Sequence, residues 1–399
     1  MATSRAAALL RKPGQPKRAT FLDLFFDLVF VFALTRVSQR LLTDVTSQRW
    51  SVLTEVGKTV LVLLALLIIW FVTAWVTDLY DPTRPEVQLV VVGTMFGALV
   101  MAAAVPEAFG ARALGFAGAY VAIHIGRHLV LVPALSGHRA QRRSAGVLLW
   151  FAVSAVPWIA GATFPGSPTR GVLWTLAIAI DLAGAMLLWP TPWVGRMTAE
   201  WPVVAEYLSE RYRQFFIIAL GELILVAGIT YSGKYLAGGH AAAFGVAFVT
   251  TALLWRIYIH RAGELLQDAI AAAPQPGRLV RRAILAHLLM VAGIVAIAVG
   301  YELVIEHPFG HTDSAWICVI LGGPVLFLAG RAFFEYAVFA RVSRSRLIGA
   351  LVLAGTSPAM ILLPPLAAAI TAAVVLAGIA TSDELHAKGR PPEPPSPPR

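Results

Sequence analysis

FLDLFFDLVFVFALTRVSQRLL, residues 21 to 42, is the stretch whose reading decides the fold. At about 1.5 Å of rise per residue it makes a helix roughly 33 Å long, enough to cross the hydrocarbon of a bilayer. Yet it carries Asp23, Asp27 and Arg36. A carboxylate at the bilayer centre costs about 2.5 to 3.5 kcal/mol on insertion scales, so the folded protein must pair or hydrate these groups. Asp23 and Asp27 stand four apart and share one helix face. Asp27 lies roughly 9 Å in from the helix start. Asp23 is shallow enough to serve at the interface, and Arg36 is expected at a helix interface.

The composition around this stretch is that of a membrane protein. Hydrophobic residues make up 58% and charged residues 14% of the 399, against about 25% charged in an ordinary soluble domain. The net charge of +10 could suggest a nucleic-acid partner, but its placement argues otherwise. Basic residues gather in short loops between apolar runs, as the positive-inside rule demands. The partner implied is the lipid bilayer, and no nucleic acid is expected. One cysteine, Cys318, sits in an apolar run, so there is no intrachain disulfide and no zinc-type pattern.

Apolar runs bounded by charge, Pro or Gly fall near 21–42, 52–77, 87–105, 110–134, 146–161, 171–189, 213–231, 241–262, 283–304 and 314–339. Residues 347 to 380 form a longer run broken by Pro358, Pro364 and Pro365. A single helix of that length would overshoot a core of about 30 Å, so a helical hairpin is preferred. The expectation is an all-α integral membrane protein of about twelve transmembrane helices. Basic loops around Arg139 to Arg143, Arg196 to Arg213, Arg261 to Arg282 and Arg341 to Arg346 alternate with less basic ones, placing both termini in the cytoplasm. Residues 1–20 read as a basic cytoplasmic segment rather than a signal peptide, because the apolar run that follows is too long and too acidic. Residues 381–399 read as a Pro-rich disordered tail.

Asp27-Leu28-Val29 aligns with Glu222-Leu223-Ile224, and Thr35 then falls on Thr230. PEAFG near 106 matches EHPFG near 306, and Gly126-Arg127 matches Gly330-Arg331. These matches suggest two pseudo-repeated six-helix halves, 21–200 and 201–380, in parallel orientation as in some transporters.

Four segments carry a family resemblance: FLDLFFDLVFVFALTRVS, PEAFG, ERYRQFFIIALGELILVAG at 210–228 and LLWRIYIHRAGE at 253–264. Together they resemble the bacterial low-temperature-requirement protein A family over about residues 18 to 380. The family pattern often has Glu at the position of Asp23, and a second Trp or similar residue at that of Arg256. The resemblance implies a multi-pass protein of the bacterial plasma membrane and leaves its activity open.

His124, Arg127 and His128 fall at i, i+3 and i+4 on one stripe. Depth matching pairs Asp27 with Arg127, and the repeat then pairs Glu222 with Arg331. Asp181 is a lone carboxylate in the sixth run and should face inward. These seven residues are the candidates for a substrate or proton pathway. The HxxxH spacing can hold a metal, but Arg127 between the histidines would repel a cation, so no metal site is assigned. Arg213, Trp255 and Arg256 read as interfacial anchors.

No phosphate-binding loop, nucleophile elbow or kinase signature is present, and no cofactor is expected. The leading functional reading is a transporter or permease-like protein for a small solute or ion. The alternatives are a membrane-embedded enzyme acting on a lipophilic biosynthetic intermediate, with an intramembrane carboxylate as general acid, and a non-catalytic sensor or accessory protein. The composition leaves room for an oligomer.

Overall fold

The computed structural model describes residues 2–11, 19–46, 52–164, 166–191, 205–233, 238–260, 264–388 and 394–398. Among them every regular element is a helix, with one isolated backbone bridge between Leu10 and Tyr80 in place of any strand. Ten helices among the described residues are long and apolar enough to cross a membrane. The protein is an all-α integral membrane protein.

The helices are α1 (Ala2–Leu9), α2 (Phe21–Thr46), α3 (Val52–Leu79), α4 (Pro85–Ala104), α5 (Ala113–Ala134), α6 (Arg139–Thr163), α7 (Ser167–Leu187) and α8 (Ala205–Ser232). They continue as α9 (Gly238–Tyr258), α10 (Glu264–Ala272), α11 (Pro276–Glu306), α12 (Ser314–Ile320), α13 (Gly322–Phe339), α14 (Arg344–Met360) and α15 (Pro365–Ala387). Of the runs read as spans, α2 falls short of the ten because of its five charges, Asp23, Asp27, Arg36, Arg40 and Asp44, and α14 because it has only 17 residues.

The expected hairpin between 347 and 380 is present as α14 and α15. The chain turns at Ile361 to Pro364, and Pro365 sits at the first position of α15, where its missing N–H removes no hydrogen bond. Helix α15 continues to Ala387, past the point where the tail was expected to begin. Within that tail Ser396 donates its backbone N–H to the Val338 carbonyl at 3.0 Å. The expected boundary between halves at 200–201 lies outside the described residues.

The chain divides into two compact units, residues 1–37 with 57–211 and residues 38–56 with 212–399. In the first unit α4, α5, α6 and α7 pack in sequence as neighbours. Their shared core is aromatic: Trp158 and Trp174 lie 5.0 Å apart by ring centroids, and Phe116 stacks on Trp174 at 5.5 Å. The end of α1 is tied in by main-chain bonds from Asp81 N–H to Leu9 O at 2.9 Å and from Arg11 N–H to Leu79 O at 3.1 Å.

In the second unit α11 is the central helix. Its best membrane-length window is 67% buried, the highest of the ten, as expected for a helix apolar on every side. It packs most extensively on α13, and small residues make the approach close. A Cβ on Gly293 would stand 2.6 Å from the Phe327 nitrogen, and one on Gly330 would stand 2.8 Å from the Ala286 oxygen. Helices α13, α14 and α15 then follow one another as neighbours, and α9 packs on α15.

Candidate functional site

Helix α2 separates its residues by face. Phe21, Leu24, Phe25, Leu28 and Phe32 are exposed apolar residues suited to lipid, whereas Asp23, Phe26, Asp27 and Phe30 are buried. The acids therefore point into the protein, as the cost of charge in hydrocarbon requires.

Thr20 and Asp23 form a reciprocal cap at the start of α2. The Asp23 carboxylate accepts from the Thr20 N–H at 2.8 Å, and the Thr20 hydroxyl accepts from the Asp23 N–H at 3.3 Å. The other Asp23 oxygen accepts from the Tyr207 hydroxyl at 2.8 Å. Asp23 is thus buried and fully engaged, which corrects the shallow interfacial role expected for it. One residue pair inward, Arg211 grips Asp27 bidentately, with Nη1 to Oδ2 at 2.7 Å and Nη2 to Oδ1 at 2.8 Å. The Trp70 indole N–H adds a third bond to Asp27 at 2.9 Å, and Arg211 lies over the Trp70 ring at 5.2 Å.

The expected Asp27–Arg127 pair is not formed. Arg127 donates through Nη2 to the hydroxyls of Thr73 at 2.7 Å and Thr94 at 3.4 Å. Matching depths along two helices proved insufficient, because the carboxylate was taken by an arginine on a third helix. The expected Glu222–Arg331 pair is also replaced. Arg331 donates to the carbonyls of Ile257 at 2.9 Å and His260 at 2.6 Å, placing its cation at the C-terminal end of α9, where the helix dipole favours it. Glu222 is fully buried in α8.

Trp70, Thr73 and Thr77 stand at i, i+3 and i+7 on α3 and serve two polar groups from one face. Trp70 and Thr77 reach the acidic network, Thr77 through a 2.6 Å bond with the Tyr207 hydroxyl. Thr73 reaches Arg127.

Arg127 belongs to a buried polar stripe on α5. Tyr120, His124, Arg127 and His128 have relative exposures of 1%, 1%, 2% and 5%. The Tyr120 hydroxyl donates to Asp181 Oδ2 on α7 at 2.7 Å. The His124 ring stacks on Phe151 with centroids 3.8 Å apart. His128 Nδ1 bonds the Ser144 hydroxyl at 2.9 Å. Several atoms along this stripe have no hydrogen-bond partner among the described residues: both His124 nitrogens, Arg127 Nε and Nη1, His128 Nε2 and Asp181 Oδ1. Unsatisfied buried polar atoms are costly. They gather around one face of α5, whereas in the Asp27 network both carboxylate oxygens of Asp27 and both Nη atoms of Arg211 are bonded.

Of the residues expected at interfaces, Trp255 is exposed, and Arg256 bonds Glu384 at 2.6 Å on the surface. Arg36 and Arg213 are half-buried. Arg211, Tyr207 and Trp70 were missed in the sequence reading. The spacing of Tyr207 and Arg211, four apart and so on one face if α8 starts early, was the available signal.

The site and fold define a multi-pass α-helical membrane protein with ionisable groups enclosed between its helices. The family model for the bacterial low temperature requirement A protein (LtrA) matches residues 18–381, and the chain belongs to that family. It is similar to an uncharacterized protein of Rhizobium meliloti (strain 1021), 33% identical over 339 residues, covering 84% of this chain and 81% of the relative. No solved structure matches.

Proposed function

We propose that this protein is a carrier or permease-like protein for a small solute or ion in the bacterial plasma membrane, with both termini cytoplasmic and α2 and α14 completing twelve crossings. The observation that supports this reading is the α5 stripe. Arg127 is a cation deep in a membrane-spanning helix with no salt bridge to a carboxylate among the described residues, flanked by two histidines and, through Tyr120, by Asp181. Ionisable groups held unsatisfied at membrane depth are characteristic of ion and proton pathways. The Asp27–Arg211 pair, bonded through both carboxylate oxygens and both Nη atoms, reads as a structural lock beside that path.

The reaction class is movement of a solute or proton without bond chemistry. Asp181 and the histidines exchange protons, while Arg127 supplies a fixed positive potential that attracts an anion. The test is dissipation of an imposed pH gradient in sealed proteoliposomes, followed with a trapped pH dye. Wild-type protein should relax the gradient faster than empty vesicles. Asp181→Asn and Arg127→Gln proteins that still elute as single folded species should be slowed at least tenfold. Relaxation indistinguishable from that of empty vesicles would overturn the reading. The enzyme alternative draws on the aromatic enclosure of Asp181 by Tyr120 and Trp158, and it requires turnover of a lipophilic compound in detergent, where no gradient exists.

A further inference from the structure

A cavity of about 210 Å³ opens at one end of the α5 stripe, walled by the segment after α1 and by α3, α5 and α6. Its ionisable nitrogen groups are Arg11, His128, His138, Arg139 and Arg143, joined by the neutral hydroxyls of Tyr80 and Ser144. No carboxylate lines it among the described residues. Its remaining wall is apolar and aromatic, with Trp75, Val147 and Trp189 prominent.

Three features organise the basic side. Arg139 and Arg143 stand four apart in the first two turns of α6, at the positive end of its dipole. His138 caps that helix by accepting from the Ala140 N–H at 3.1 Å, which commits its Nδ1. His128, only 5% exposed, lines the cavity and is held by Ser144 through Nδ1, while its buried Nε2 has no hydrogen-bond partner among the described residues. When the Ser144 hydroxyl donates to Nδ1, Nε2 carries the proton and is a hydrogen-bond donor.

We propose that this cavity binds a small amphipathic anion, with a carboxylate or phosphate monoester head on the His128 and Arg143 side and an apolar body against Trp75, Val147 and Trp189. Three arginines and two histidines with no carboxylate among the described lining residues select for negative charge, and the aromatic wall selects against a bare inorganic ion. At about 30 Å³ for each water-sized group, the volume suits a head with a ring or the near part of a chain rather than a whole diacyl lipid. Such a head can come from a soluble metabolite or from a lipid headgroup. As the entry to the α5 stripe the cavity rests on the carrier reading, but its occupancy is measurable without flux.

The experiment is calorimetric titration of the full-length protein in phosphatidylcholine nanodiscs with octyl phosphate, octanoate, octylamine and inorganic phosphate. Octyl phosphate and octanoate should bind saturably, inorganic phosphate at least tenfold more weakly, and octylamine not at all. Losing a charge-assisted bond should weaken octyl phosphate about tenfold or more in Arg143→Gln and in His128→Gln, and Val147→Trp should abolish binding by filling the cavity. Arg139→Gln/Arg143→Gln, altered at the start of α6, serves if the buried variants unfold, with thermal unfolding recorded for each protein. Octylamine binding as tightly as octyl phosphate, or full affinity retained in the folded double variant, would overturn the proposal. Competition by phosphatidic acid added to the discs assigns the head to a lipid, and absence of competition assigns it to a soluble compound, either result keeping the anion site. Binding without flux would sink the carrier reading alone, and flux without binding would sink this one alone.

Discussion

Arg211 and Asp27 meet through two parallel bonds of 2.7 and 2.8 Å although they lie 184 residues apart in the chain. Both are at most 2% exposed. Removing either partner strands the other as a buried charge, at about 3 to 5 kcal/mol. Asp27→Asn and Arg211→Gln should each lower the midpoint of thermal unfolding in detergent by many degrees. The apolar pair Asp27→Leu/Arg211→Met should recover most of that loss, because replacing a buried ion pair by groups of similar volume is often neutral. A double variant no more stable than the single ones would show that the pair does more than join helices.

Asp23 performs two jobs and Tyr207 supports only one of them. Tyr207→Phe removes the bond to Asp23 and its partner at Thr77, a loss of about 1 to 3 kcal/mol for groups left unsatisfied. Asp23→Ala removes the same bond and the cap with Thr20, whose loss adds about 1 kcal/mol. Asp23→Ala should therefore unfold at lower temperature than Tyr207→Phe, and the order of the two midpoints checks it.

The membrane helices were legible in the sequence because an apolar run of span length has few other uses. The inward face of α2 was legible too, since acids cannot face lipid. Arg211 was not. Hydropathy placed the start of its helix at 213, after the charges, while α8 begins at Ala205 and carries Tyr207 and Arg211 inside. The pairing then failed for a geometric reason. Depth along an axis fixes one coordinate of a side chain, and azimuth and neighbouring helix fix the rest. Thr73 and Thr94, which satisfy one nitrogen of Arg127, carry no charge and gave no signal. The α5 stripe was legible because helical spacing alone puts residues 124, 127 and 128 together.

The seam between α11 and α13 should be intolerant of even a methyl group. A Cβ at Gly293, Gly323 or Gly330 falls within 3.0 Å of backbone atoms of the opposite helix, which cannot rotate away. Gly293→Ala and Gly330→Ala should each cost about 1 to 3 kcal/mol by overpacking. Gly126→Ala on α5 meets nothing within 4 Å and should be neutral or mildly stabilising. Thermal unfolding of the three proteins decides the matter, and equal midpoints would refute the close approach.

Two ion pairs of equal length in the second unit should differ in worth because their surroundings differ. Arg346 meets Asp383 at 2.6 Å with exposures of 1% and 8%, and Arg256 meets Glu384 at 2.6 Å with exposures of 39% and 60%. The buried pair ties α14 to α15, so Asp383→Asn leaves Arg346 a buried cation, with Glu335 at 3.9 Å as its remaining acidic neighbour. That loss should approach 3 to 5 kcal/mol, or roughly half of it if Glu335 moves in to compensate. Glu384→Gln removes an exposed pair worth about 0 to 1 kcal/mol and screened by salt. Unfolding midpoints at low and high salt separate them: Asp383→Asn should be destabilised at both, and Glu384→Gln should match the wild type once salt is raised.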